Sequence, residues 1–90
     1  MSPSERKLQV AQSLDLRGQE SAAAYRTAVE RLRRMDDNDV LELYIDEAEP
    51  LRTIPFGLRA EGHEIVVSEP SNPGVRLLVR RRAPLAGQGA

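Results

Sequence analysis

The first half of the chain changes from strand-like to helix-like spacing of its apolar residues. Residues 13–17 alternate between apolar and polar side chains, with Leu14 and Leu16 on one face, which predicts a short half-buried strand. Gly18 then marks a turn. Over residues 21–35 the apolar positions recur at helical intervals, which predicts an amphipathic helix with one face in the core.

Both ends of this helix carry residue types that stabilise helix termini. A serine hydroxyl can accept a hydrogen bond from a free backbone amide, so Ser21 is predicted to be the N-cap. Arg33 and Arg34 lie in the predicted last turn, where positive charge suits the helix dipole. Residues 36–39, with the sequence DDND, are predicted to form a turn, because Asp and Asn side chains hydrogen-bond to their own backbone.

A second strand and a second helix follow along the chain. Residues 40–45 are rich in Val, Leu, Ile and Tyr, which predicts a strand. Residues 50–61 predict a helix that ends at Gly62. Pro55 lacks the amide that a helix interior uses, so the regular part of this helix is expected to start near Ile54, after a separate turn.

Two further strands complete the pattern, at residues 63–69 and 75–82. The Pro- and Gly-containing loop at residues 70–74 is short, so it joins them as an antiparallel hairpin. A sheet with one apolar face buries that face under helices. The expected fold class is therefore α/β (α+β): a two-layer βαβαββ sandwich, with a four-stranded mixed sheet and two helices on one face.

The length of the chain limits it to one small domain. With 90 residues, it has room for a single thin core. The domain is predicted to cover residues 13–82, between a flexible N-terminal segment at 1–12 and a disordered C-terminal tail at 83–90. Leu8 and Val10 are candidates to extend an edge of the sheet.

Charge, cysteine content and hydropathy exclude several classes of function. The net charge of −1 gives no global bias toward nucleic acids or anionic membranes. The chain has no cysteine, which rules out disulfides, thiolate metal sites and thiol catalysis. The single histidine, His63, lacks a metal-ligand spacing, so neither a metal nor a cofactor is predicted. Without a signal peptide or an apolar run of about 20 residues, the expected location is cytoplasmic, with no membrane partner.

Several short motifs resemble those of the TusA/SirA family of sulfur carriers. Residues 14–18 read LDLRG and precede a helix that starts at Ser21, where the family pattern is L-D-x-R-G-x-x-C-P-x-P. Ser21 stands at the position of the family's cysteine, and AAA at residues 22–24 stands at the position of P-x-P. The resemblance covers most of the chain, from about Leu14 to Arg82. The further matches are VLEL at 40–43, DEA at 46–48, TIP at 53–55 and GHE at 62–64.

The resemblance implies a fold, a partner and a set of site residues. In the family, a cysteine at the start of the first helix carries persulfide sulfur from a cysteine desulfurase, and the helix terminus lowers the pKa of that thiol. Serine oxygen forms no persulfide, so this chain is expected to be a βαβαββ relative with no catalytic residue. An adaptor or modulator role in sulfur-transfer or redox pathways is then implied, with a cysteine desulfurase or sulfur-relay protein as partner. The candidate partner-binding residues are Asp15, Arg17, Gly18, Ser21, Tyr25 and Arg26.

Some of these residues have alternative interpretations. Asp15 and Arg17 form either a local ion pair on a solvated strand or part of a docking surface. Ser21 is either a helix cap or the nucleophile of a different transferase, which would need His63 as its base.

Binding to nucleic acid, or regulation through an arginine-rich face, is a further alternative. The expected fold resembles that of the C-terminal domain of a bacterial translation initiation factor, which is a fold-level likeness only. Tyr44 is the one aromatic residue on the predicted strands, whereas single-strand RNA readers stack bases on several. The competing interpretation is that these arginines simply form solvated faces. The residues concerned are Arg26, Arg31, Arg33 and Arg34 on the first helix and Arg80, Arg81 and Arg82 at the last strand.

Overall fold

The order of strands and helices agrees with the prediction. A computed structural model describes residues 9–82 of the chain. Its elements are β1 (Val10–Asp15), α1 (Ser21–Arg33), β2 (Val40–Ile45), α2 (Glu49–Ala60), β3 (Glu64–Pro70) and β4 (Val75–Arg80). The predicted βαβαββ order is therefore confirmed.

The four strands form one mixed sheet in the order β1-β2-β4-β3. β1 and β2 are parallel, because α1 crosses over between them, whereas β4 is antiparallel to both β2 and β3. Leu14 lies opposite Leu43, and Leu43 lies opposite Leu77, so one row of leucines runs across three strands. The predicted β3–β4 hairpin is confirmed.

Both helices pack against one face of the sheet and close the core there. Leu32 of α1 and Ile54 and Leu58 of α2 are fully buried. Burying a side chain of this kind stabilises the fold by about 2 kcal/mol. The predicted two-layer sandwich is confirmed, because the two-residue period of the strands supplies one apolar face for the helices. The sheet residues on that face include Leu41, Leu43, Ile45, Leu77 and Val79.

The bounds of β1 differ from the prediction, because the strand lies earlier in the chain. Residues 10–12, expected to belong to the flexible segment, are part of β1, and the pairing with β2 slips between Val10 and Gln12. This irregularity interrupts the alternation on which the prediction depended. Val10 extends the sheet edge as predicted. Leu8 and the predicted disorder of residues 1–8 and 83–90 lie outside the described residues.

α2 runs without a break over Glu49–Ala60, so the separate turn predicted before Ile54 is wrong. Pro50 lies in the first turn, where the amide that proline lacks is not needed. Pro55 lies inside the helix, and its ring is buried. Burial of the ring partly offsets the backbone hydrogen bond that proline cannot donate.

The end of α2 confirms the predicted stop at Gly62. The amide of Gly62 donates to the carbonyl of Arg59 at 2.9 Å, and the amide of His63 donates to that of Leu58 at 3.0 Å. This pair of bonds forms a Schellman motif, which requires a residue with positive φ. Gly62 has a φ of 101° and meets that requirement without a Cβ.

The remaining bounds move by only one or two residues. α1 and β4 each end two residues before the predicted position, and β3 is shifted by one residue toward the C-terminus. The turn predicted at residues 36–39 is confirmed, because the amide of Asp36 donates to the carboxylate of Asp39 at 3.0 Å. Asn38 in this turn has a φ of 73°, which asparagine tolerates better than most residues.

Candidate functional site

The start of α1 is capped by Glu20 rather than by Ser21, so the predicted N-cap is wrong. Glu20 has an extended backbone, and its carboxylate accepts a hydrogen bond from the amide of Ala23 at 3.3 Å. Ser21 is already the first helical residue. The longer glutamate side chain reaches the free amide from one position further back, which leaves the serine hydroxyl without its expected role.

The hydroxyl of Ser21 is buried and has no hydrogen-bond partner. A buried hydroxyl without a partner costs about 1–3 kcal/mol of desolvation. A serine nucleophile needs a neighbouring base, and Glu49, the acidic residue that lines the same groove, makes no hydrogen bond to Ser21. The described structure therefore contains no activated nucleophile at this position.

His63 lies at the other end of the sheet and cannot act as the base for Ser21. It precedes β3, whose first residue aligns across β4 with Val40, the first residue of β2. Ser21 lies beyond the last residue of β1, Asp15, which aligns with Tyr44 of β2, about 13 Å from Val40 along the strand. Nδ1 of His63 accepts a hydrogen bond from the amide of Arg82 at 3.2 Å. Burial, and then the charge of Arg81, lower the pKa of His63, while Glu61 opposes this.

A groove with a volume of about 410 Å³ opens beside Ser21 along the seam between α1 and α2. Tyr25 of α1 faces Gly57 of α2 across the seam, so closely that a Cβ at position 57 would lie 2.6 Å from Cε1 of the ring. Gly57 therefore permits the close approach of the two helices. The residues lining the groove, henceforth the seam groove, are Ser21, Ala22, Tyr25, Glu49, Thr53 and Gly57.

A second depression of about 460 Å³ continues along α1 and shares Ala22 and Tyr25 with the seam groove. Arg26 and Arg33 line it. The hydroxyl of Tyr25 donates to Glu61 at 3.4 Å, and burial, followed by the charge of Glu61, raises the pKa of the phenol. Tyr25 thus stays protonated at neutral pH and presents an aromatic edge and a hydroxyl to this surface.

Asp15 and Arg17 lie on the opposite, uncovered face of the sheet. Nε and Nη2 of Arg17 donate to the Asp15 carboxylate at 2.8 and 2.7 Å, and Nη1 donates to the carbonyl of Pro73 at 3.0 Å. The guanidinium also lies 5.0 Å from the ring centre of Tyr44. The side-chain hydrogen bonds from Arg17, followed by the bond from its backbone amide, lower the pKa of Asp15 to about 2. The pair thus ties the end of β1 to the β3–β4 loop.

The six predicted partner-binding residues therefore do not form one surface. Ser21, Tyr25 and Arg26 come together along the two helices. Gly18 lies between the two regions, with a φ of 84°, and its amide donates to the carboxylate of Asp46 at 2.8 Å. Asp15 and Arg17 belong to the uncovered sheet face, whereas Ser21, Tyr25 and Arg26 border the seam groove and the depression beside it.

A hydrogen-bonded network centred on Glu42 occupies the uncovered face. Its carboxylate accepts bonds from Ser13 at 2.8 Å, from Tyr44 at 3.1 Å and from Nε of Arg76 at 2.6 Å. Nη1 of Arg76 reaches Glu69 at 2.7 Å. The bonds from Arg76 and then Ser13 lower the pKa of Glu42, and Glu42 followed by Glu69 raises that of Arg76. The polar groups on this face are largely satisfied by one another.

The arginines do not form a continuous face. Arg31 donates to Gln12 at 2.9 Å, and Arg81 donates to a backbone carbonyl of α1 at 2.9 Å. Arg80 and Arg82 both approach Glu64, at 3.5 and 3.6 Å. Among the described residues, the arginines whose side chains form neither an ion pair nor a hydrogen bond are Arg26, Arg33 and Arg34 of the α1 region and Arg52 and Arg59 of α2.

Phe56 is a surface feature that was not among the predicted site residues. Its side chain on α2 is 73% exposed, whereas Ile54 and Leu58 on either side of it are fully buried. A helix turns by 100° per residue, so Phe56, which is two residues away from both Ile54 and Leu58, points away from the core. The sequence therefore contained a signal for this exposure.

No family model matches this sequence, and no curated protein matches it at a significant level. Neither helix in residues 9–82 has the length and hydropathy required to cross a membrane. Over the same residues, no three histidine or carboxylate side chains are grouped in a way that could hold a metal ion.

Proposed function

We propose that this chain is a cysteine-less relative of the TusA/SirA sulfur carriers that acts by binding another protein at the seam groove. The observation that carries the proposal is the position of the groove. It opens beside the first residue of α1, where carriers of that family hold their cysteine, and Ser21 in that place has no base. The βαβαββ order and the LDLRG motif before α1 support the same relationship.

The chemistry at Ser21 favours binding over catalysis. Persulfide transfer requires a sulfur atom, and attack by a serine oxygen requires a base that removes its proton. Ser21 has neither, since its hydroxyl is buried and without a hydrogen-bond partner. The alternative of a Ser21-dependent transferase therefore has little support.

The surface around Ser21 is suited to a protein partner. Ala22 and Tyr25 line both depressions, and Tyr25 combines an aromatic ring with a hydroxyl that retains its proton. Tyrosine is enriched at protein interfaces for this combination. The partner we propose is a cysteine desulfurase or a sulfur-relay protein, with this chain as an adaptor or modulator in the cytoplasm.

The nucleic-acid alternative has weaker support. Three of the seven arginines first considered for it, Arg31, Arg80 and Arg82, contact side chains of neighbouring strands or of Glu64. Tyr44, the aromatic residue on the uncovered sheet face, is covered by Arg17 and cannot stack freely on a base.

A charge placed in the seam groove tests the proposed function. Ala22→Glu adds an acidic side chain in the first helical turn, where the helix dipole tolerates it, so the fold should persist. In an interface, however, the same carboxylate is buried without a partner. We expect affinity capture from the native host to recover a specific sulfur-transfer protein with the wild type, and about tenfold less of it with Ala22→Glu.

The matched control is Ala11→Glu, which places the same charge on an exposed residue of the edge strand β1. It should capture as much partner as the wild type. Equal capture by the wild type and Ala22→Glu, or the absence of any specific protein, would remove the proposal.

A further inference from the structure

The outer surface of α2 carries an exposed aromatic ring between two arginines. Arg52, Phe56 and Arg59 are spaced by four and then three residues, so they form one stripe along the helix. All three are exposed, and the two arginines are separated by about 10.5 Å along the axis. We call these residues the Phe56 stripe.

Phe56 stands out from the other apolar residues of α2. The core already contains Ile54, Pro55 and Leu58, so the fold gains nothing comparable from a phenylalanine that is 73% exposed. Aromatic residues, phenylalanine among them, and arginine are enriched at protein interfaces relative to the rest of the surface. The combination in the Phe56 stripe therefore indicates a contact surface rather than a solvated one.

The charge of the stripe selects the class of partner. Neither Arg52 nor Arg59 forms an ion pair within residues 9–82. On α1 the same spacing occurs as Arg26, Glu30 and Arg33, where the carboxylate lies within reach of both arginines and reduces their charge. In α2 the phenylalanine takes the place of that carboxylate, so Arg59 has no acidic neighbour at helical spacing, and Glu49, one turn before Arg52, is the one carboxylate of the helix.

We propose that the Phe56 stripe binds an acidic segment of the partner protein, which packs a large apolar side chain against Phe56 and pairs carboxylates with Arg52 and Arg59. This inference rests on the proposed function, because it names the chemistry of the partner, but it concerns a face of α2 about a quarter-turn away from the one that lines the seam groove. Arginine pairs with carboxylates through two parallel hydrogen bonds, which gives such a contact direction as well as attraction.

An acidic peptide fits this surface better than RNA does. Glu49 lies one turn before Arg52 on the exposed start of α2, where it would repel a phosphate backbone. A peptide can place a basic or neutral residue there. The stripe also offers one ring, whereas single-strand RNA binding usually stacks successive bases on several.

Selection of peptides by the folded chain tests the inference. The full-length protein is used to select binders from a displayed library of random peptides. We expect the enriched peptides to carry Asp or Glu on both sides of a large apolar residue. Phe56→Ala and the double variant Arg52→Glu/Arg59→Glu should each weaken their binding by about tenfold or more. Added salt should weaken binding to the wild type more than binding to the double variant.

The control is Arg34→Glu/Arg82→Glu, which makes the same change of charge at two exposed arginines outside α2 and outside both depressions. It should alter peptide affinity by less than about threefold, the effect of a distant charge at moderate salt. Because Phe56 is exposed, Phe56→Ala should keep the melting temperature of the wild type, so lost binding cannot be attributed to unfolding.

Several results would overturn the inference. They are a library that yields no binders, peptides without an acidic bias, and peptides that bind all variants equally. Two others are binding of random single-stranded RNA at physiological salt that Arg52→Glu/Arg59→Glu abolishes, and a dimer in sedimentation that Phe56→Ala dissociates. The proposed function fails separately, because Ala22→Glu changes the seam groove and leaves the Phe56 stripe intact.

Discussion

At the scale of single residues, the position of Ser21 has two opposite effects on an ionisable side chain: the start of the helix favours an anion there, and burial disfavours it. The free amides at the start of α1 would stabilise an anion, as they do for a thiolate. Glu20 already accepts the hydrogen bond of one of these amides, and the side-chain oxygen of Ser21 is buried. Burial disfavours the charged form of any group placed there.

Replacing Ser21 by cysteine reports which influence prevails. We expect the thiol of Ser21→Cys to react about tenfold more slowly with an alkylating reagent at neutral pH than that of Ala22→Cys, because the first is buried and the second is exposed. The two variants carry the same group on adjacent residues of the same helical turn. Faster reaction of Ser21→Cys would show that the position still activates a thiol.

At the scale of elements, the turns show how strongly the backbone depends on particular glycines. Gly18 and Gly74 both have positive φ, at 84° and 91°. A Cβ at Gly18 would meet open space, whereas a Cβ at Gly74 would collide with the backbone carbonyl oxygen of Ile45 and lie 3.3 Å from Cδ of Arg17. The β3–β4 loop is therefore packed against β2 in a way that the turn after β1 is not.

The two glycines give a matched pair of substitutions. Gly18→Ala should lower the free energy of unfolding by about 1 kcal/mol, the cost of the left-handed conformation alone. Gly74→Ala should lower it by about 3 kcal/mol, since the backbone collision adds to that cost. Urea denaturation of both variants measures the difference. Equal losses would mean that the loop moves away from β2 without a penalty.

α2 illustrates a conflict between local preference and tertiary packing. Pro55 opposes a continuous helix, yet Glu49–Ala60 is helical throughout. The ring lies on the buried side next to Ile54, where it adds apolar surface to the core. Helix propensity is a weak influence compared with burial, so the core determines the course of the chain here.

At the scale of the whole molecule, the two sides of the sandwich differ in charge. α1 and α2 together carry five arginines and two glutamates, while the whole chain has a net charge of −1. The uncovered sheet face combines both signs in bonded pairs. The helical side is thus the side on which a partner of opposite charge is attracted, as the proposed acidic segment requires.

Acid should destabilise the whole domain through the carboxylates of the uncovered face. The pKa values of Asp15, which is about 2, and of Glu42 are lowered in the folded state, so their stabilisation is complete above the unfolded values near 4 and is lost as the pH falls through the folded values. The pKa of His63 is also lowered, so a separate loss of stability begins below about pH 6.5.

Thermal unfolding between about pH 5 and pH 2 tests the carboxylate contribution. Asp15→Asn should show a smaller fall in melting temperature over this range than the wild type, because it removes one of the groups that must be protonated. Glu47→Gln, an exposed acid outside the network, should follow the wild type. An identical pH dependence for all three proteins would show that the pair of Asp15 and Arg17 contributes nothing to stability.

The sequence by itself determined the order of the elements, the two-layer arrangement, the hairpin and the stop at Gly62. These features depend on local periodicity and on the backbone preferences of single residues, which can be read from neighbours along the chain. The tertiary structure alone decided that Glu20 caps α1, that Arg17 reaches Pro73 on the uncovered face, and that Tyr25 meets Gly57. The last two contacts join residues far apart in sequence, so the local pattern does not predict them. The cap depends on where the helix begins within the packed core, which the local pattern does not predict either.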